Sequence, residues 1–245
     1  MQPKSQTMFH FTKELSFLKD ILKNGFWPRY CLEDMEWWNN NETYTAYPMV
    51  CFCDIPLSRI DEHVRFYGSY GIGVKREWAI LNGLSPVIYL NKKSNLHSSF
   101  YNLLINSAKQ PKLYSNSAND HNMFMSHIKP VEGRVRVNGE NITKDFYQES
   151  EWRATINSSD NKIKSYLYQN EYNDSNILNF ENEKTKKDYS LKITPEDISY
   201  IFVKSESDIP ELVNYIQREM DEFTGKDLKI LLTRIVSMET IKRDL

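Results

Sequence analysis

The chain of 245 residues carries 31 Lys and Arg against 33 Asp and Glu, a net charge of −2, with 40% hydrophobic and 13% aromatic residues. Charge this close to balance excludes a chain that is, as a whole, an electrostatic trap for nucleic acid, and no run of about 18 apolar residues is present to span a membrane. The first fifteen residues lack the apolar stretch of a secretion signal, and the three cysteines, Cys31, Cys51 and Cys53, are too few and too odd in number for a disulfide scaffold, so the expectation is a soluble cytoplasmic protein with a sizeable core.

In chain order, residues 8–11 read as a short strand, and Thr12 as the cap of a helix in which Leu15, Leu18, Ile21 and Leu22 recur at helical spacing before Gly25 ends it. Residues 26–47 read as an irregular, aromatic-rich stretch with Trp27, Trp37, Trp38, Tyr44 and Tyr47, and a loop at the Asn run 39–41. A strand over 49–53 stops at Pro56. A helix over 59–67 follows, then a glycine-rich strand over 67–75, a short helix over 77–82, a strand over 86–90 and a helix over 96–108. Residues 110–120 read as a polar loop, 123–128 and 131–137 as strands or a hairpin turning at Asn138-Gly139, and 146–156 as strand-like towards its end.

Residues 157–189 are the most polar stretch and read as a surface insertion. Beyond them come strands over 191–193 and 200–203, a helix after Asp208 with Leu212, Val213, Ile216 and Met220 on one face, and a segment over 228–235 that suits helix or strand. Helices and strands mix without a βαβ rhythm. The expected fold is therefore a single α+β domain over 1–245, a small mixed or split antiparallel sheet flanked by helices. No dinucleotide-binding glycine motif, phosphate-binding loop or nucleophile elbow is present.

Three places could carry chemistry. His10 stands between Phe9 and Phe11, so the period of a strand turns it, beside Thr12, to the face opposite the phenylalanines; it reads equally as an edge histidine held by a hydrogen bond and as one facing a cleft. Tyr67 and Tyr70 flank the glycine-rich turn, where a flat ligand ring could stack and reach the backbone, or where core aromatics alone could sit. Glu149 and Glu151 are two apart, which on a strand sets two carboxylates on one face, with Arg153 as the nearest cation; paired carboxylates either do proton or cation-stabilising work or form a solvated edge. His63, His121 and His127 have no partner at metal-ligand spacing, and a site from His63, Asp54 and Glu62 has nothing pointing to it, so no metal is expected.

The segments Phe9-His10-Phe11-Thr12, 18–25, 50–57, His63, 67–78, Glu149-Ser150-Glu151-Trp152-Arg153 and 193–202 together resemble the AbiGi-type abortive phage-resistance family of bacteria, over about residues 8–245 and thinly through 157–189. The family is at times described as an antitoxin. In segment order the chain also resembles, more distantly, ADP-ribosyltransferase-like toxins. That resemblance implies an ADP-ribosyltransferase-like fold with NAD as substrate: His10 and Thr12 on the ribose, Tyr67 or Tyr70 stacked on the nicotinamide, and Glu151 and Glu149 stabilising the oxocarbenium-like ribose and activating the acceptor. The chain departs from that pattern in the short spacing of its two tyrosines and the absence of an arginine in the first strand. The resemblances imply an anti-phage effector that cleaves NAD and modifies a nucleic-acid or protein target; the competing expectation is a non-catalytic antitoxin or sensor that binds a cognate toxin or a nucleotide. A metal-dependent nuclease is the weakest expectation, since no acidic metal-binding pattern appears.

Overall fold

The computed structural model describes residues 5–39, 43–109, 117–137, 140–156 and 162–244. Residues 40 and 41 of the loop expected at 39–41, most of the one at 110–120, the turn at Asn138-Gly139 and residues 157–161 of the expected insertion lie outside the described residues.

The elements begin with β1 (Thr7–Thr12), α1 (Leu15–Asn24), β2 (Arg29–Asp34), α2 (Glu36–Asn39), β3 (Tyr44–Cys53), α3 (Ile60–Tyr67), β4 (Tyr70–Lys75) and α4 (Arg76–Leu81). The middle of the chain forms β5 (Ser85–Pro86), β6 (Ile88–Leu90), α5 (Asn95–Ala108), α6 (Ser117–His127), β7 (Ile128–Pro130), β8 (Glu132–Val137), β9 (Glu140–Asp145) and β10 (Glu151–Thr155). The last part forms β11 (Leu167–Tyr168), α7 (Gln169–Asn173), α8 (Ser175–Asp188), β12 (Ile198–Val203), α9 (Ile209–Glu219), α10 (Gly225–Leu232), β13 (Ile235–Ser237) and α11 (Met238–Asp244). This is a mixed α+β architecture, and it divides into two compact units, each assembled from separated pieces of chain.

The first unit combines Met1–Phe26, Cys51–Leu84 and Leu191–Leu245. Its strands lie in the order β13-β12-β4-β1, with Cys53 of β3 paired to Phe9; β1, β4 and β12 are antiparallel in turn and β13 is parallel to β12. Strand alternation sorts β1 as expected. Phe9 and Phe11 enter a core with Phe202, Ile60, Val64, Met238 and Ile241, while His10 turns to the opposite face among Phe26 and Phe52.

Gly71 and Gly73 have a specific job in this sheet. Each sits on β4 with an aromatic residue beside it on both neighbours: Phe11 and Phe202 flank Gly71, Phe9 and Tyr200 flank Gly73. A Cβ on Gly71 would come within 2.6 Å of the Phe11 ring. The bare backbone is therefore covered by the protein's own rings, and Phe9, Phe11, Tyr200 and Phe202 form a continuous aromatic layer.

α1 follows the expected periodicity, burying Leu18, Ile21 and Leu22, and Gly25 ends it with φ 83° while its N–H bonds the Ile21 carbonyl. Thr12 is not its cap; β1 runs through Thr12 and the N-cap position falls to Glu14. α9 buries Leu212 and Ile216, and Met220 after it, as its spacing predicts. The 191–193 strand reduces to one bridge between Phe26 and Leu191, and 228–235 is the helix α10 followed by β13.

The second unit combines Trp27–Val50 with Ser85–Ser190. β2 and β11 pair antiparallel with β3, β10 lies beside β3, and β5 edges β10; β6–β7 is a separate parallel pair and β8–β9 a separate hairpin. The stretch expected to be irregular at 26–47 contains β2, α2 and the start of β3, whose aromatics serve both as strand formers and as core. Residues 117–127 form the helix α6, where the end of a loop at 110–120 and a strand from 123 were expected. Within 157–189, α8 buries Glu181, Asn182 and Thr185. Asn182 Oδ1 accepts the Tyr30 N–H at 3.0 Å and the Thr185 hydroxyl donates to the Pro28 carbonyl, so buried polar side chains dock this helix together with Ile177 and Leu178, which pack against the core of Tyr30, Ala46 and Leu167.

Candidate functional site

Among the described residues, a cluster of linked ion pairs is buried in the second unit. Glu149 closes a short 3-10 turn, Ser150 adopts the left-handed conformation at φ 44°, ψ 51°, and Glu151 opens β10. The expectation that one strand face carries both carboxylates is corrected: the left-handed Ser150, not strand periodicity, folds the two side chains towards one point. That point is the amine of Lys129 on β7, 3.0 Å from Glu149 Oε2 and 2.9 Å from Glu151 Oε2. The amine also lies 4.3 Å from the centre of the Phe146 ring.

The cluster continues in both directions. Lys144 of β9 donates to Glu149 Oε1 at 2.5 Å. Arg153, wholly buried, donates from Nε to Glu151 Oε1 at 2.7 Å, from Nη1 to the Ser126 carbonyl at 2.7 Å and from Nη2 to Glu33 of β2 at 3.1 Å. The Tyr89 hydroxyl accepts the Glu151 N–H. Lys129, Lys144 and Arg153 thus balance Glu33, Glu149 and Glu151, and both oxygens of Glu149 and Glu151 are engaged by cations. Burial alone would raise the pKa of Glu149, but Lys129 and Lys144 outweigh it and hold it below the ordinary carboxylate range. Burial likewise opposes the charge of Lys129, and Glu151, Glu33 and Glu149 outweigh it, keeping the amine well above the lysine value.

The remaining site candidates belong to the first unit. His10 Nδ1 lies 2.8 Å from the Cys51 carbonyl oxygen, so Nδ1 carries the hydrogen, and the ring packs edge-on to Phe26 and against Phe52. Burial pushes its pKa down, with the hydrogen bond to Cys51 opposing. Thr12 pairs across the strands with Tyr70, whose hydroxyl donates to Asp208 at 3.3 Å. Tyr67, at the end of α3, stacks on His63 with centroids 4.4 Å apart, and His63 in turn packs on Phe11. Tyr67 is therefore on the Phe11 side of the sheet and His10 on the other. Asp54 is paired with Arg76. The structure brings Glu149 together with Glu151, and Thr12 with Tyr70; His10, Thr12, Tyr67 and Tyr70 fall in one unit and the two glutamates in the other.

Sequence reasoning found Arg153 beside Glu151 but missed Lys129, Lys144 and Glu33. The available signal for Lys129 was a lysine flanked by Ile128 on one side and Pro130 and Val131 on the other; its glutamate partners Glu149 and Glu151 lie twenty residues and more further on, beyond the reach of any local pattern.

Residues 24–204 match the family described as "Putative abortive phage resistance protein AbiGi, antitoxin". The chain belongs to the AbiGi family. It is 28% identical over 247 residues to "Abortive phage resistance protein AbiGi" of Lactococcus lactis subsp. cremoris, an alignment covering 90% of this chain and 99% of that protein. No solved structure matches the chain. Among the described residues of this AbiGi-family chain, no helix is long and apolar enough to cross a membrane.

Proposed function

We propose that the chain is the antitoxin-type component of an abortive phage-resistance system and acts by binding a cognate toxin protein rather than by turning over NAD. The observation that carries this reading is the closure of the Glu149–Glu151 cluster. A carboxylate that stabilises a forming oxocarbenium ion must present a free oxygen to the reacting ribose. Here Lys129, Lys144 and Arg153 take the oxygens of both glutamates, and Glu151 is 6% exposed. Freeing Glu151 would strip one carboxylate from both Lys129 and Arg153 in a buried ion cluster and leave three cations to Glu149 and Glu33, a cost of about 3–5 kcal/mol. The family description as an antitoxin supports the same reading.

The test pairs two measurements on the purified full chain and in cells. Nicotinamide release from NAD is followed with the protein alone, with nucleic acid and with cell lysate, and growth is followed when the chain is co-expressed with the proposed cognate toxin. The expected result is no release and rescued growth. The alternative, an ADP-ribosyltransferase-like effector using His10, Thr12, Tyr67 or Tyr70 and the two glutamates, expects nicotinamide release that Glu151→Gln abolishes in a chain still folded by circular dichroism; that result would overturn the antitoxin reading.

A further inference from the structure

The start of β2 carries a cation with an unusual partner. Arg65, Arg76, Arg134, Arg153, Arg218 and Arg234 each hold a carboxylate or a carbonyl oxygen. Among the described residues Arg29 finds neither. Its side chain is exposed, and its guanidinium lies over the Trp27 ring, 4.8 Å from the centroid. The amine of Lys186 on α8 lies over the same indole at 5.2 Å. α8 also fixes the backbone on both sides of Arg29, because Thr185 donates to the Pro28 carbonyl and Asn182 accepts the Tyr30 N–H. All of these residues belong to the second unit.

We propose that this Trp27–Arg29–Lys186 platform is where an acidic segment of the partner protein docks; that the partner is a toxin rests on the reading above. A guanidinium laid on an aromatic face keeps its N–H groups in its own plane, as a rigid fork that matches a carboxylate. Resting on the ring also removes rotamer freedom that binding would otherwise have to take away. Two cations gathered at one ring repel each other, and a carboxylate brought to them relieves that repulsion. Trp and Arg are, besides, the residue types that carry much of the binding energy at protein interfaces. A nucleic-acid strand fits this place less well, because its charge runs on past any single contact. α8 sets the exposed Glu183 and Asp188 within a turn of Lys186, and these repel a continuing phosphate backbone. A folded partner can place one or two carboxylates on the platform and turn away.

The indole N–H resonance of Trp27, assigned through Trp27→Phe, reports on the platform in the full chain. Titration with a capped hexaglutamate peptide to about 10 mM, at low ionic strength, is expected to shift it with an affinity of about 1 mM. Arg29→Met is expected to weaken that binding about tenfold or more. Lys226→Met, which removes an exposed cation of α10, is expected to leave it unchanged, and a single-stranded oligothymidylate of equal charge to bind more weakly. No shift with hexaglutamate, unchanged binding by Arg29→Met, or tighter binding of the oligothymidylate overturns the proposal. If Arg29→Met loses its circular-dichroism signal, Lys186→Met decides by the same criterion. Co-expression with the proposed cognate toxin separates this inference from the reading it rests on. A folded Arg29→Glu chain is expected to lose the growth rescue that the wild type gives. A wild type that binds hexaglutamate but gives no rescue removes the toxin and keeps the platform; an Arg29→Glu chain that rescues in full overturns the platform and keeps the antitoxin reading.

Discussion

Replacing Lys129 by Met keeps the length of the side chain and removes only its amine, leaving Glu149 and Glu151 turned towards each other over a buried gap. Stability is expected to fall by about 3–5 kcal/mol, the usual cost of stripping one partner from a buried ion cluster, and to recover in part in Lys129→Arg; urea denaturation measures both. The pH dependence carries a second signature. His10 has a folded pKa below its ordinary 6.5, so its contribution is present above about pH 6.5 and is lost as pH falls through that value, where the unfolded chain takes up the proton first. Glu149 is also depressed, from 4.5, so its contribution holds above that pH and is lost further into acid. The urea midpoint is expected to decline in two stages. His10→Gln should flatten the first only partly, because His97, His121 and His127 are also pushed down by burial. At this scale the sequence was legible where neighbours in the chain decide the environment, as at His10 between two phenylalanines and at Arg153 beside Glu151. It was illegible at Lys129, whose environment comes from another segment.

Among the elements, β4 makes the sharpest test of packing. Gly71→Ala is expected to cost about 1–3 kcal/mol through overpacking, because the added methyl would meet the Phe11 ring at 2.6 Å and the His10 carbonyl oxygen at 2.7 Å. Gly225→Ala, at the start of α10 with open space around it, is expected to be neutral or slightly stabilising. Thermal unfolding of the two variants side by side separates the effect of the site from that of losing a glycine. The glycine-rich strand itself was readable, but not what approaches its backbone, since the covering rings come from β1 and β12. Amphipathic helices with an apolar stripe, α1 and α9, were plain from spacing. α8 was not, because the residues it buries most deeply, Glu181, Asn182 and Thr185, are polar, and its core-packing apolar pair, Ile177 and Leu178, stands side by side near its start, too little for a search for apolar periodicity to find.

For the molecule as a whole, the proposed antitoxin action makes protection a matter of how much folded chain is present. Growth rescue in cells is expected to decline across Gly71→Ala, Lys129→Met and Glu151→Gln in step with the folded fraction of each, measured on the purified chains. Loss of rescue in a fully folded Glu151→Gln chain would break that relation. The two compact units are built from interleaved pieces, the first taking its strands from both ends of the sequence. Translation therefore delivers β1, α1 and β4 long before β12 and β13, which supply the rest of that sheet and half of its aromatic layer. At ~5–20 residues per second, the first unit waits on the ribosome for the synthesis of Ser85–Ser190, the longer piece of the second unit, roughly 5–20 seconds. A newly started message thus gives no working molecule until its last segment has emerged, and an interrupted one gives none at all.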